Sequence, residues 1–166
     1  MLMLLRALII LACFLVRDAP KQRAHFYQIA FSWVGTFAPI FMVWKRNYSS
    51  LGLAGELLSI AGLALLLCAC LDLGKSFGIS PAIRNKVESG IYRYLKHPLY
   101  TAYILIELGF ILNNPSAFNF LVAVISWISY GLRAYWEEKL INHYFGLTNT
   151  RNNEQALRYS PAIHSQ

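Results

Sequence analysis

The chain reads as long apolar blocks separated by short polar ones. Met1 to Val16 is apolar apart from Arg6 and is closed by Arg17-Asp18. That length suits a signal-peptide core and falls slightly short of a full span of roughly 20 residues. No small-x-small cleavage pattern precedes the charged Arg17–Arg23 segment, which favours an uncleaved first helix. Phe26 to Trp44 predicts a second helix closed by Lys45-Arg46, with Pro39 expected to kink it and Trp44 suited to an interfacial belt. Leu51 to Leu73 is the clearest span, with only Glu56 breaking its apolar character near the start, and its Gly52, Gly55, Ala61, Gly62 and Ala64 would let a neighbouring helix approach closely. Pro98 to Leu112 predicts a short or tilted helix. An uncharged Asn113-Asn114-Pro115-Ser116 turn follows, and Phe118 to Trp136 returns. The last two helices should form a hairpin, and the Gly- and Ser-rich stretch between Asp72 and His97 should lie irregularly on a membrane surface. Lys139 to Gln166 reads as a polar tail, with Asn149–Gln155 weakest in apolar content.

Composition fixes the class. A chain of 166 residues that is 57% hydrophobic and only 14% charged, with mean hydropathy +0.42, describes an all-α integral membrane protein rather than a soluble domain. About five transmembrane helices are expected in one domain: a helical N-terminal half to residue 73, a core over 74–146 and the tail over 147–166. The net charge of +7 is explained by positive loops beside spans, and nucleic-acid binding is excluded because the apolar runs leave no continuous basic face. Cys13, Cys68 and Cys70 lie inside apolar runs without metal-ligand spacing and read as small core hydrophobes.

The cations also set orientation. The basic segments Arg17–Arg23 and Asp72–His97 should both face the cytoplasm, with the N-terminus outside. Lys45-Arg46 is the one pair that falls on the wrong side.

Candidate chemistry concentrates in Gly90-Ile91-Tyr92-Arg93-Tyr94-Leu95-Lys96-His97-Pro98-Leu99-Tyr100. Gly90 frees the backbone for a turn, and Pro98 forces His97 out of the α region while suiting the first turn of the next helix. His97 and Tyr100 therefore straddle a helix N-terminus, which favours an anionic group. A basic loop that sets topology and caps a helix explains the same residues equally well. The hairpin brings a second segment, Arg133 to His143, to the same face. Arg93, Lys96 and His97 on one wall with Glu137 and Glu138 on the other fit a zwitterionic ligand. Tyr92, Tyr94 and Tyr100 offer faces for a heterocycle or a cation. Helix-end glutamates paired with Lys139 or Arg133 are the simpler alternative.

These segments carry a resemblance. Leu73-Gly74-Lys75-Ser76-Phe77-Gly78, the Gly90–Tyr100 stretch, and Glu137-Glu138-Lys139-Leu140-Ile141 with Phe145-Gly146 together resemble the isoprenylcysteine carboxyl methyltransferase family, in the expected order. That family and the related phospholipid methyltransferases are multi-span membrane enzymes that use S-adenosylmethionine. The resemblance implies a cytoplasmic cofactor pocket built from Gly90, Tyr92, Arg93, Lys96, His97, Pro98, Tyr100, Glu137 and Glu138. It implies catalytic roles for Glu138 and, on the acceptor side, Arg158, with Arg151 as a second candidate. It also implies a hydrophobic or lipid-linked acceptor entering from the bilayer, in a multi-pass protein that would sit in the inner membrane of a bacterial cell. Lys96 departs from the family's usual arginine, keeping charge but losing bidentate reach. Ala102 replaces a common glycine, and the tail keeps only Arg158-Tyr159-Ser160-Pro161 of the family's ending.

Other readings remain. An NADPH-dependent membrane reductase related to steroid reductases shares a His-Pro-x-Tyr segment, and a non-enzymatic subunit could bind anionic lipid through its basic loop. Glu107, inside an apolar helix, either lines the acceptor pocket or is a paired core residue. His25, His143 and His164 have no partners at metal spacing.

Overall fold

Each apolar block of the sequence becomes a helix, and proline or glycine sets where it stops. The computed structural model describes residues 2–16, 22–23, 25–44, 51–78, 82–83 and 89–159, with side chains over 3–16, 25–44, 51–74, 76–78 and 89–140. Among these, α1 is Leu2–Val16, α2 Phe26–Phe37, α3 Gly52–Leu73, α4 Pro98–Asn113 and α5 Ala117–Tyr159. α3 and the Ala117–Leu140 part of α5 are long and apolar enough to cross a membrane, while α1 and α4 are shorter apolar helices. A two-residue antiparallel ladder pairs β1 (Gln22–Arg23) with β2 (Ala82–Ile83), a small departure from the all-α expectation. It joins the two basic segments at one end of the bundle.

Two boundaries differ from the sequence reading. The second helix does not run through to Trp44 with a kink. It stops at Phe37, and a 3-10 turn covers Ala38–Phe41. Pro39 has no N–H to donate and its ring crowds the preceding turn, so the α ladder ends. The extended residues that follow are held from outside: the Val43 N–H donates to Asn119 Oδ1 at 2.8 Å, and Asn119 Nδ2 donates to the Val43 carbonyl at 3.0 Å. The backbone of the last helix, by contrast, continues through the polar tail to Tyr159. No proline occurs between Pro115 and Pro161, so nothing in that stretch removes a ladder hydrogen bond.

The closest backbone packing is between antiparallel α3 and α4, at the small residues the sequence displays. Cβ atoms added at Gly55 or Gly62 would meet the Gly109 carbonyl at 2.7 Å or Ile106 at 2.9 Å. One at Gly109 would lie 2.2 Å from Ser59 Oγ and 2.4 Å from the Gly55 carbonyl. Because backbone atoms cannot yield as a flexible side chain can, Gly109→Ala should destabilise the protein by about 1–3 kcal/mol. Thermal unfolding of the detergent-solubilised variant checks this, and an unchanged midpoint would refute the close approach. α2 packs antiparallel on α5, with Gly35 against Ser129 and the rings of Tyr27 and Phe31 edge-on to Trp136 at 5.8 and 6.0 Å.

The expected α4–α5 hairpin is present, but its helices meet through large side chains. Tyr100, Tyr103 and Glu107 of α4 face Tyr130 of α5. Arg6 of α1 reaches into this layer. It donates to Glu107 Oε1 and to the Tyr130 hydroxyl, both at 2.8 Å, and its guanidinium lies 4.6 Å from the Tyr103 ring centre. The Tyr130 hydroxyl lies 2.7 Å from Glu107 Oε1 and 2.9 Å from the Gly35 carbonyl, either of which can take its single proton. One buried polar cluster thus joins α1, α2, α4 and α5, and Glu107 is the paired core residue of the two alternatives. Outward, α1 presents Leu4, Leu8, Leu11 and Leu15, and α2 presents Phe26, Val34 and Phe37, an apolar surface rather than a solvated one.

Candidate functional site

Gly90 opens the site. Its φ of +59° is accessible to glycine at little cost, and it starts a 3-10 turn over Gly90–Arg93. The turn is fixed by Asp72 near the end of α3, whose Oδ2 accepts the Ile91 N–H at 2.7 Å. The carboxylate sits so close that a Cβ on Gly90 would lie 2.1 Å from Asp72 Oδ2. His97 then lies outside the α region, which a following proline disfavours (φ −136°, ψ 65°), and Pro98 starts α4. The His97 carbonyl accepts both the Thr101 N–H and the Thr101 hydroxyl at 3.1 Å, closing the first turn.

The middle of α5 arrives opposite. The Tyr100 hydroxyl donates to Glu137 Oε2 at 2.7 Å, and Lys96 Nζ pairs with Glu138 Oε1 at 2.8 Å. Two segments that lie 37 and 42 positions apart are therefore joined by two direct side-chain contacts. The Lys96–Glu138 pair is exposed (69% and 46% of each side chain), so its energetic worth is small. Glu137 is the inner of the two. Its Oε1 accepts from Arg133 Nε at 3.3 Å, and Arg133 is buried, donates from a terminal nitrogen to the Gly78 carbonyl, and lies 5.1 Å from the Tyr100 ring centre.

Aromatic rings complete the cluster. The His97 and Tyr100 rings are 5.5 Å apart, and Tyr100 stacks at 6.0 Å on Tyr130. Half-burial lowers His97 from the ordinary histidine range, opposed in part by Glu137, so the imidazole is neutral near pH 7. Burial pushes the Tyr92 phenol up, so it remains an O–H donor. That hydroxyl is buried without a hydrogen-bond partner among the described residues.

Of the residues singled out from the sequence, Gly90, Tyr92, Lys96, His97, Pro98, Tyr100, Glu137 and Glu138 come together at one end of the bundle. Arg93 belongs to the same turn but is exposed. The side chain of Arg158 lies outside the described residues, as does that of Arg151. One participant was missed: Asp72 reads in sequence only as the end of an apolar run. Arg133, which the sequence offers as a partner for the glutamate pair, does pair with Glu137 four residues on. A cleft of about 320 Å³ lies apart from this cluster, between α1 and α2, lined by Arg6, Ile10, Phe14, Trp33, Phe37 and Ile40 among others.

The comparisons with known proteins bear on the same segments. The sequence profile of the phospholipid methyltransferase family matches residues 51–148. Protein-S-isoprenylcysteine O-methyltransferase A of Arabidopsis thaliana is 29% identical over 130 residues, covering 74% of this chain and 58% of that protein. The chain thus aligns with little more than half the length of that relative. No solved structure matches significantly.

Proposed function

Because the chain belongs to the phospholipid methyltransferase family, we propose that it is a multi-span membrane enzyme that methylates a hydrophobic or lipid-linked acceptor from S-adenosylmethionine. An isoprenylcysteine carboxylate, the acceptor class in the name of the plant relative, is the first acceptor to test. The observation that carries the reading is the joining of Lys96 and Tyr100 to Glu138 and Glu137. These are the two halves of the motif, and they meet at the end of the bundle where the basic segments pair. Positive loops beside apolar helices support a cytoplasmic orientation for that end.

The residues present fit a zwitterionic sulfonium donor. The α4 N-terminus and Lys96 would take its carboxylate, and Glu137 or Glu138 its amine or ribose hydroxyls. His97 and Tyr100 offer ring faces, and the unpaired Tyr92 hydroxyl offers a buried polar contact still to be made. The bound donor supplies a methyl group that is already activated, so the chain's own work is positioning and exclusion of water. For a carboxylate acceptor no base is required, and a cation such as Arg158 would orient it. For an amine or hydroxyl acceptor, Glu138 is the group placed to take the proton.

Calorimetric titration of the detergent-purified protein with S-adenosylhomocysteine tests this reading, with wild type beside His97→Ala. Saturable binding that the variant loses is expected. A well-folded wild type that binds nothing, or binds NADPH instead, would overturn the proposal.

A further inference from the structure

Among the described residues two arginines are buried, and they differ in what they face. Arg6 is sealed against Glu107, which is fully buried, in the middle of the bundle. Arg133 is as deeply buried (3%), but its carboxylate partner Glu137 remains 25% exposed at the open end. We propose that Arg133 is a positioning residue that holds Glu137 and Tyr100 in the orientation with which they meet the donor. This inference rests on the methyltransferase reading above.

Arg133 connects three separate pieces of the site. Its Nε fixes Oε1 of Glu137, leaving Oε2 for the Tyr100 hydroxyl. Its guanidinium plane lies over the Tyr100 ring, and a terminal nitrogen reaches the Gly78 carbonyl in the segment that follows α3. An ordinary i,i+4 pair on a helix surface contributes little and would fix nothing. Here burial and the fork geometry give one side chain three simultaneous partners, so the rotamers of Glu137 and Tyr100 follow from it. A lysine would keep the charge but lose the planar contact and the fork.

The test compares S-adenosylhomocysteine binding by wild type, Arg133→Met, Arg133→Lys, Glu137→Gln and the double variant Arg133→Met/Glu137→Gln, with the folded fraction of each measured by thermal unfolding. A dissociation constant raised at least tenfold in Arg133→Met, partly restored in Arg133→Lys, is expected. Because Arg133 and Glu137 share one contact, the loss in the double variant should fall short of the sum of the two single losses. Unchanged affinity per folded molecule in Arg133→Met, or losses that simply add in the double variant, would reduce Arg133 to a structural residue. Should Arg133→Met fail to fold, Arg133→Lys and Glu137→Gln still decide, since a purely structural lysine variant binds normally once folded. Wild type that binds no ligand refutes the methyltransferase reading instead, so the two failures are distinguishable.

Discussion

Glu107→Leu should destabilise the protein by about 3–5 kcal/mol, the largest single effect expected anywhere in the chain. Leucine fits the volume roughly, so the cost is electrostatic. Among the described residues, the substitution leaves the buried Arg6 guanidinium with the neutral Tyr130 hydroxyl and the Tyr103 ring as its partners. A cation left without its carboxylate in an apolar interior keeps its desolvation penalty and loses the attraction that offset it. Glu107→Gln, which keeps shape and one acceptor, should lie between leucine and wild type. Arg6→Met/Glu107→Leu should recover most of the loss, because removing both charges removes the penalty as well. Unfolding midpoints of wild type, Arg6→Met, Glu107→Leu and the double variant in one detergent give the cycle. A Glu107→Leu protein as stable as wild type would show that the pair is not formed.

Gly90→Ala should weaken S-adenosylhomocysteine binding roughly a hundredfold while leaving the helical core folded. Two costs combine. A non-glycine residue in the left-handed region carries about 1–2 kcal/mol of strain. The new methyl group also collides with the Asp72 carboxylate, whose charged hydrogen bond to the Ile91 N–H is worth about 1.5–3 kcal/mol. The turn should therefore shift, taking Tyr92 and Lys96 with it. Asp72→Asn retains an acceptor of the same shape and should bind far better than Gly90→Ala. Normal binding by Gly90→Ala would mean that the turn contributes nothing to the ligand, and a collapse of the unfolding midpoint would mean that its role is structural.

The helices were legible because an apolar run of sufficient length has few alternatives, and the punctuation was legible wherever proline or glycine stands. Even so, Pro39 was read as a kink where the chain ends the helix. The outcome depends on Asn119, which offers Val43 an amide from a helix 76 positions away. The small residues of α3 announced a close neighbour but not its identity. α4 takes that place because Gly109 lets the two backbones touch. Motif order brought His97, Tyr100 and the glutamate pair to one end correctly, since a short turn forces neighbouring helices to be antiparallel.

By itself the sequence determined the apolar class, five helices of which three have close to their final bounds, and the residue types gathered at one end of the bundle. These follow from composition and local spacing, which one stretch of chain contains in full. The tertiary structure alone decided which distant charges and polar groups are paired. Arg6 and Glu107 are 101 positions apart, and Asp72 grips Ile91 from 19 positions away. No periodicity records such contacts, because the energy of a buried charge is set by whatever the folded chain happens to bring beside it.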